Sequence, residues 1–110
     1  MSRAAIKRYW TRVADLGCVV CMGPAEIAHV AGRPSVTERI QEPKAKGKKL
    51  ARMDWLVLPL CPYHHRISPL SLDLNPYGFE KVNGPVAKHI DRIAAKLGVD
   101  VWTLSQQGRK

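Results

Sequence analysis

The residues best suited to chemistry in this chain are Cys18-Val19-Val20-Cys21 and Cys61-Pro62-Tyr63-His64-His65. Their pattern is Cys-x2-Cys, a gap of 39 residues, then Cys-x2-His with a second histidine adjacent. Two ligands three positions apart fit one tight knuckle turn, and tetrahedral structural zinc sites are built from pairs of such turns. The chain has three cysteines and all of them fall in the pattern. The competing reading, three inert core thiols, leaves the repeated spacing and the paired histidines as coincidence.

A third histidine, His29, ends a predicted short strand, Ala25 to Val30, just ahead of the turn Gly32-Arg33-Pro34. Strand side chains alternate, so Ile27 and His29 share one face and Glu26, of opposite parity, is expected to face away. A lone strand histidine is usually structural. Here zinc would join the two knuckles and so bring this strand beside the apolar run Leu56 to Leu60, which reads as a buried strand. A hairpin followed by a helix would then present an imidazole and metal ligands to one cleft.

The elements around these residues follow from periodicity and punctuation. Ile6, Tyr9, Trp10 and Val13 fall at helical spacing, predicting a helix over 2–16 with Gly17 as its end. Residues 18–84 carry the knuckles and strands, with a short helix expected at Pro76 to Val82. Val86, Ile90, Ile93, Ala94 and Leu97 make an amphipathic stripe, and Asp100 is placed to cap a last turn carrying Trp102; these form C-terminal helices over 85–105. His89 falls on the polar side of that stripe and is expected to be exposed. The architecture expected is α+β, one domain over 1–110, with no internal repeat.

Charge indicates the partner. Eighteen Lys and Arg against nine Asp and Glu give a net +9, more than solubility asks of a small domain and typical of a polyanion binder. The segment from Arg33 to Arg52 holds seven basic and two acidic residues, a net +5, with Pro43 and Gly47 opposing a helix through its middle. It is read as a phosphate-contacting arm, with Arg33, Lys44, Lys46, Lys48, Lys49 and Arg52 as DNA contacts and Arg66 joining them from the second knuckle. No apolar run is long enough to span a membrane, and the charged first turns lack a signal-peptide core. A cytoplasmic setting with reduced cysteines is expected.

The string Cys18-x2-Cys21, Glu26-Ile27-Ala28-His29-Val30, Leu58-Pro59-Leu60-Cys61-x2-His64-His65-Arg66 resembles the HNH endonucleases. It looks closest to small zinc-knuckle members encoded by phages and prophages, including recombination-associated nucleases. The resemblance covers roughly residues 18–84. It implies a zinc-stapled ββα-metal core with a β-hairpin, and metal-dependent hydrolysis of DNA phosphodiesters. His29 matches the family's general base. His64 matches its last zinc ligand, giving the set Cys18, Cys21, Cys61 and His64 for Zn²⁺, and His65 matches the residue facing the catalytic cleft. Mg²⁺ or another divalent cation is implied, with His65 and Asp73 as its ligands.

Three positions depart from the family pattern. Ala28 stands where many members place a metal ligand, Asp54 is nearest to the place of the middle Asn, and Asp73 stands where relatives carry a third histidine. These departures keep a second reading in view, a non-catalytic zinc-stabilised DNA-binding module. A nucleobase deaminase is disfavoured, because its His-x-Glu and Pro-Cys-x-x-Cys pairing is absent.

Overall fold

A computed structural model of the chain describes residues 3–40 and 54–106. The described part is α+β. Helix α1 (Arg3–Asp15) leads to strand β1 (Glu26–His29) and helix α2 (Pro34–Ile40). Strand β2 (Val57–Leu60) is followed by a single π-helical turn, Tyr63–Ile67, and then by helices α3 (Pro76–Asn83), α4 (Val86–Leu97) and α5 (Val101–Gln106).

The two strands pair antiparallel, with Glu26 opposite Leu60, Ile27 opposite Pro59, Ala28 opposite Leu58 and His29 opposite Val57. Leu56, Val57, Leu58 and Leu60 are all buried, as expected of a strand covered on both faces. Pro59 has no N–H to donate, and its carbonyl accepts from Val19 N at 3.0 Å. The proline therefore faces the open edge of β2, where a missing donor costs no ladder bond, and that edge takes up the first knuckle.

Helix α1 lays Ile6, Tyr9 and Val13 on the sheet and ends at Asp15, two residues before Gly17. Gly17 has φ +85°, and a Cβ there would stand 2.9 Å from the Met22 carbonyl oxygen, so only glycine makes this tight entry to Cys18. On the other side of the core, α4 buries Val86, Ala87, Ile90, Ile93 and Ala94. Its C-terminus closes with Gly98 in the left-handed region, Val99 N bonded to Ala94 O at 3.0 Å and Arg12 donating to Leu97 O at 2.9 Å. Its N-terminus is capped from a distance: Glu80 Oε2 accepts from Val86 N at 2.8 Å, and Ser35 Oγ, itself bonded to Glu80, accepts from Ala87 N at 3.0 Å.

Three expectations are corrected. The stretch beginning at Arg33 does not start as irregular chain, because Pro34 opens α2 and Val36 is fully buried. Proline at the first helical position loses no needed donor. The arm residues Lys44, Lys46, Lys48, Lys49 and Arg52 lie outside the described residues. Beyond β2 the chain makes one π turn rather than a regular helix.

His89 is the third correction, since it is buried. It lies one turn from Val86 and from Ile93, on the flank of the apolar stripe, where its Nε2–H reaches the Asn83 carbonyl at 2.8 Å and its Nδ1 accepts from Arg92 at 2.8 Å. Among the described residues, no helix is long and apolar enough to cross a membrane.

Candidate metal centre

The first knuckle is shaped by its backbone. Cys18 N donates to Gly23 O at 2.9 Å, Met22 N to Cys18 O at 2.8 Å, and Val20 N to the Cys18 sulfur at 3.4 Å. Met22, with φ +68°, makes the left-handed step that closes the loop. The second knuckle begins where β2 ends. Pro62 starts the turn, His65 N bonds to Cys61 O at 2.9 Å, and Ser68 N reaches Tyr63 O at 2.9 Å to complete the π turn.

These turns bring Cys18, Cys21, Cys61 and His64 together, with their ligand atoms all within 4.8 Å of one another. Tetrahedral zinc has edges of about 3.8 Å between sulfurs and about 3.6 Å between sulfur and nitrogen, given its usual bond lengths. Cys21 Sγ lies 3.8 Å from Cys61 Sγ, and His64 Nδ1 lies 3.7 Å from Cys18 Sγ and 3.2 Å from Cys61 Sγ. Three cysteines and one histidine are thus close enough to hold a metal ion, and the donor set is compatible with structural zinc. Burial raises the Cys18 thiol pKa, but hydrogen bonds from the backbones of Cys61, Cys21 and Val20 outweigh it, so the net shift is downward, toward thiolate.

His65 points elsewhere. Its Nδ1 lies 2.6 Å from Glu26 Oε2, and its Nε2 faces Asp73 Oδ2 at 3.4 Å. Glu26 also takes Arg66 through two bonds, Nε at 2.9 Å and Nη2 at 3.2 Å. Arg66 and His65 together depress the Glu26 carboxyl to about 2. Asp73 Oδ1 accepts from Arg33 Nη2 at 2.6 Å. The result is a row of alternating groups: Arg33, Asp73, His65, Glu26, Arg66. Asp73 reaches the row because its backbone N donates to His65 O at 3.0 Å, alongside Leu72 N to His64 O at 3.0 Å. The segment after the π turn therefore folds back over the histidine pair.

This corrects the expectation for Glu26. Its parity does oppose that of His29, but the ladder sets it opposite Leu60, one residue before Cys61, and so beside the turn that carries His65. Parity decides the face of a strand; the register decides which end of it meets the turn. Arg33 and Arg66, expected as phosphate contacts, are both paired with carboxylates.

His29 sits at the other end of β1, about 10 Å along the strand from Glu26 at the usual rise per residue. It is exposed, and its Nε2 faces Asp54 Oδ1 at 3.5 Å. Helix α1 supports the pair. Trp10 Nε1 donates to the Asp54 backbone carbonyl at 2.9 Å, and the indole stands edge-on to the imidazole with centroids 5.3 Å apart. Among the described residues, the side-chain partners of His65 are Glu26 and Asp73 and do not include His29. Ala28, next to His29, is fully buried and offers no ligand atom.

No family model, curated protein or solved structure matches this chain.

Proposed function

We propose that this chain is a metal-dependent DNA endonuclease of the HNH type, held together by structural Zn²⁺ at Cys18, Cys21, Cys61 and His64. The observation that carries the reading is the exposed imidazole of His29 facing the Asp54 carboxylate at 3.5 Å, on a sheet whose neighbouring turns form the Cys3His cluster. The motif resemblance and the net +9 point the same way.

The roles follow from the atoms available. Asp54 faces Nε2 and favours the tautomer with its proton there, which leaves the Nδ1 lone pair of His29 to take a proton from an attacking water. His65 Nε2 and Asp73 are the side chains suited to a divalent cation such as Mg²⁺, which when bound neutralises phosphate charge and supports the leaving oxygen. Lys44, Lys46, Lys48, Lys49 and Arg52 supply non-specific attraction to the DNA backbone.

A second reading, a zinc-stabilised DNA-binding module without catalysis, is favoured by one observation. The position before His29 is a buried alanine, so the cation loses a ligand there. Supercoiled plasmid, incubated with zinc-loaded protein and Mg²⁺ or Mn²⁺ and with an EDTA control, separates the two. Metal-dependent conversion to nicked or linear DNA supports the nuclease; retarded but uncut plasmid supports the binding module.

A further inference from the structure

We infer that Glu26 is a positioning residue that holds His65 with its proton on Nδ1, so that the Nε2 lone pair is presented toward Asp73 as one half of a divalent-cation site. The inference rests on the nuclease reading for its function, but not for its test.

Glu26 has both of its oxygens committed. Oε2 receives both His65 Nδ1 at 2.6 Å and Arg66 Nε at 2.9 Å, and Oε1 receives Arg66 Nη2 at 3.2 Å. Neither oxygen is left to serve as a ligand of its own. What Glu26 does have is a short bond to one specific nitrogen of His65. A carboxylate on one imidazole nitrogen holds the ring's orientation and tautomer and raises the basicity of the other nitrogen, the arrangement that supports metal-bound histidines generally.

The other nitrogen faces a suitable partner. Nε2 stands 3.4 Å from Asp73 Oδ2, wider than a good hydrogen bond. Two cis ligands of a small divalent cation, at about 2.1 Å each, are separated by about 3.0 Å. The gap therefore needs only a small closure to accept an ion, with water or a phosphate oxygen completing the shell. Asp73 has its other oxygen bonded to Arg33, which leaves Oδ2 as the one aimed at His65. The backbone bond from Asp73 N to His65 O fixes the spacing of the two groups.

The register explains why this task falls to β1. Glu26 opens the strand opposite Leu60, and the chain turns into the π helix just after Cys61. Any acid elsewhere on β1 would lie too far along the strand to reach the π turn.

The test is Mn²⁺ binding to the zinc-loaded full chain, followed by electron paramagnetic resonance, with zinc content and melting temperature recorded for every variant. The parent is expected to bind one Mn²⁺, and His65→Ala and Asp73→Ala to abolish it. Glu26→Ala should weaken binding about 10–100-fold while keeping its zinc. Glu26→Gln, whose amide oxygen still accepts from Nδ1–H, should recover most of that loss, which a merely structural role does not predict. Nitrogen-15 spectra of the His65 ring in the zinc-loaded protein should place the proton on Nδ1 in the parent and in Glu26→Gln.

A Glu26→Ala protein that keeps its zinc and binds Mn²⁺ as tightly as the parent overturns the inference, and so does a parent that binds no Mn²⁺. A parent that binds Mn²⁺ in this Glu26-dependent way yet never cuts DNA supports the inference and overturns the nuclease reading alone.

Discussion

Glu26 lies directly across the ladder from Leu60, and this one pairing organises both histidine sites. Because Cys61 follows Leu60, the start of β1 is held beside the second knuckle, and the end of β1 is carried away from it. His65 therefore meets Glu26 at one end, while His29 meets Asp54 at the other. At the near end Cys18 and Cys21 lie within reach of Cys61 and His64, so a metal ion bound by these four would pin it.

Metal removal is expected to unfold the protein. The cluster joins two knuckles separated by 39 residues, and the binding free energy of such a site enters folding directly. Purified chain should carry about one zinc, and Cys18→Ala or His64→Ala should lose both zinc and the cooperative melt. His65→Ala should keep both, because His65 lies outside the cluster. A folded sample that has never met a chelator and holds no zinc would refute this.

The buried His89 makes stability depend on pH. Burial lowers its pKa, the Asn83 carbonyl partly opposes that, and Arg92 adds to it, with Glu80 the nearby acid acting the other way. A histidine depressed in the folded state binds fewer protons there than in the unfolded chain. Its cost to folding is absent well above the unfolded pKa of about 6.5 and grows as pH falls below it. Glutamine can donate to Asn83 O and accept from Arg92 without titrating. Melting temperature should thus fall more steeply between about pH 8 and pH 5 in the parent than in His89→Gln, and parallel curves would show that His89 is not the group responsible.

How much of this is legible in the sequence depends on how local each signal is. The cluster Cys18, Cys21, Cys61 and His64 is legible because knuckle spacing is a short-range constraint. The strands and long helices are legible because their apolar periods are unbroken. Glu26 is not, because its partner is chosen by strand register, a long-range fact that alternation alone does not contain. His89 escapes the pattern because it lies on the flank of its stripe, and its burial depends on the Asn83 carbonyl of another helix being in reach. Helix α2 does carry a local signal, Pro34 at its first position, but the charge of the segment favours a loop reading. The HNH reading rests on motif and geometry, and the polyanion partner rests on charge.

Salt dependence tests the basic segment. Each neutralised phosphate contributes about 0.9 to the slope of log K against log salt on duplex DNA. Replacing Lys44, Lys46, Lys48 and Lys49 with Ala should flatten the slope by up to about 0.9 for every phosphate no longer neutralised. Arg39→Ala should leave it unchanged. Its guanidinium is held by Asp91 through two bonds of 3.0 and 2.8 Å and lies over the Trp102 ring at 4.6 Å. An unaltered slope in the quadruple variant would show that these lysines do not touch the backbone.

The catalytic assignment turns on His29, whose side chain is exposed and lies outside the metal cluster. Its removal should affect chemistry and not folding. General bases contribute about 10²–10⁴-fold, so His29→Ala should keep its zinc, its melting temperature and its DNA affinity, yet cut at least about a hundredfold more slowly. Asp54→Asn should fall between the two, because its amide oxygen can still accept from Nε2–H but carries no negative charge to offset the positive charge the imidazole gains on taking the proton. Trp10→Phe should do the same to a smaller extent, by releasing the Asp54 carbonyl that Trp10 holds. Single-turnover cleavage of a labelled duplex, followed from about pH 5 to pH 9 so as to span the imidazole titration, separates these outcomes from altered binding. If His29→Ala cuts as fast as the parent, the base is another group or the activity a contaminant. If Asp54→Asn is fully active while His29→Ala is dead, the imidazole works without the carboxylate, and the 3.5 Å contact serves only to place the ring.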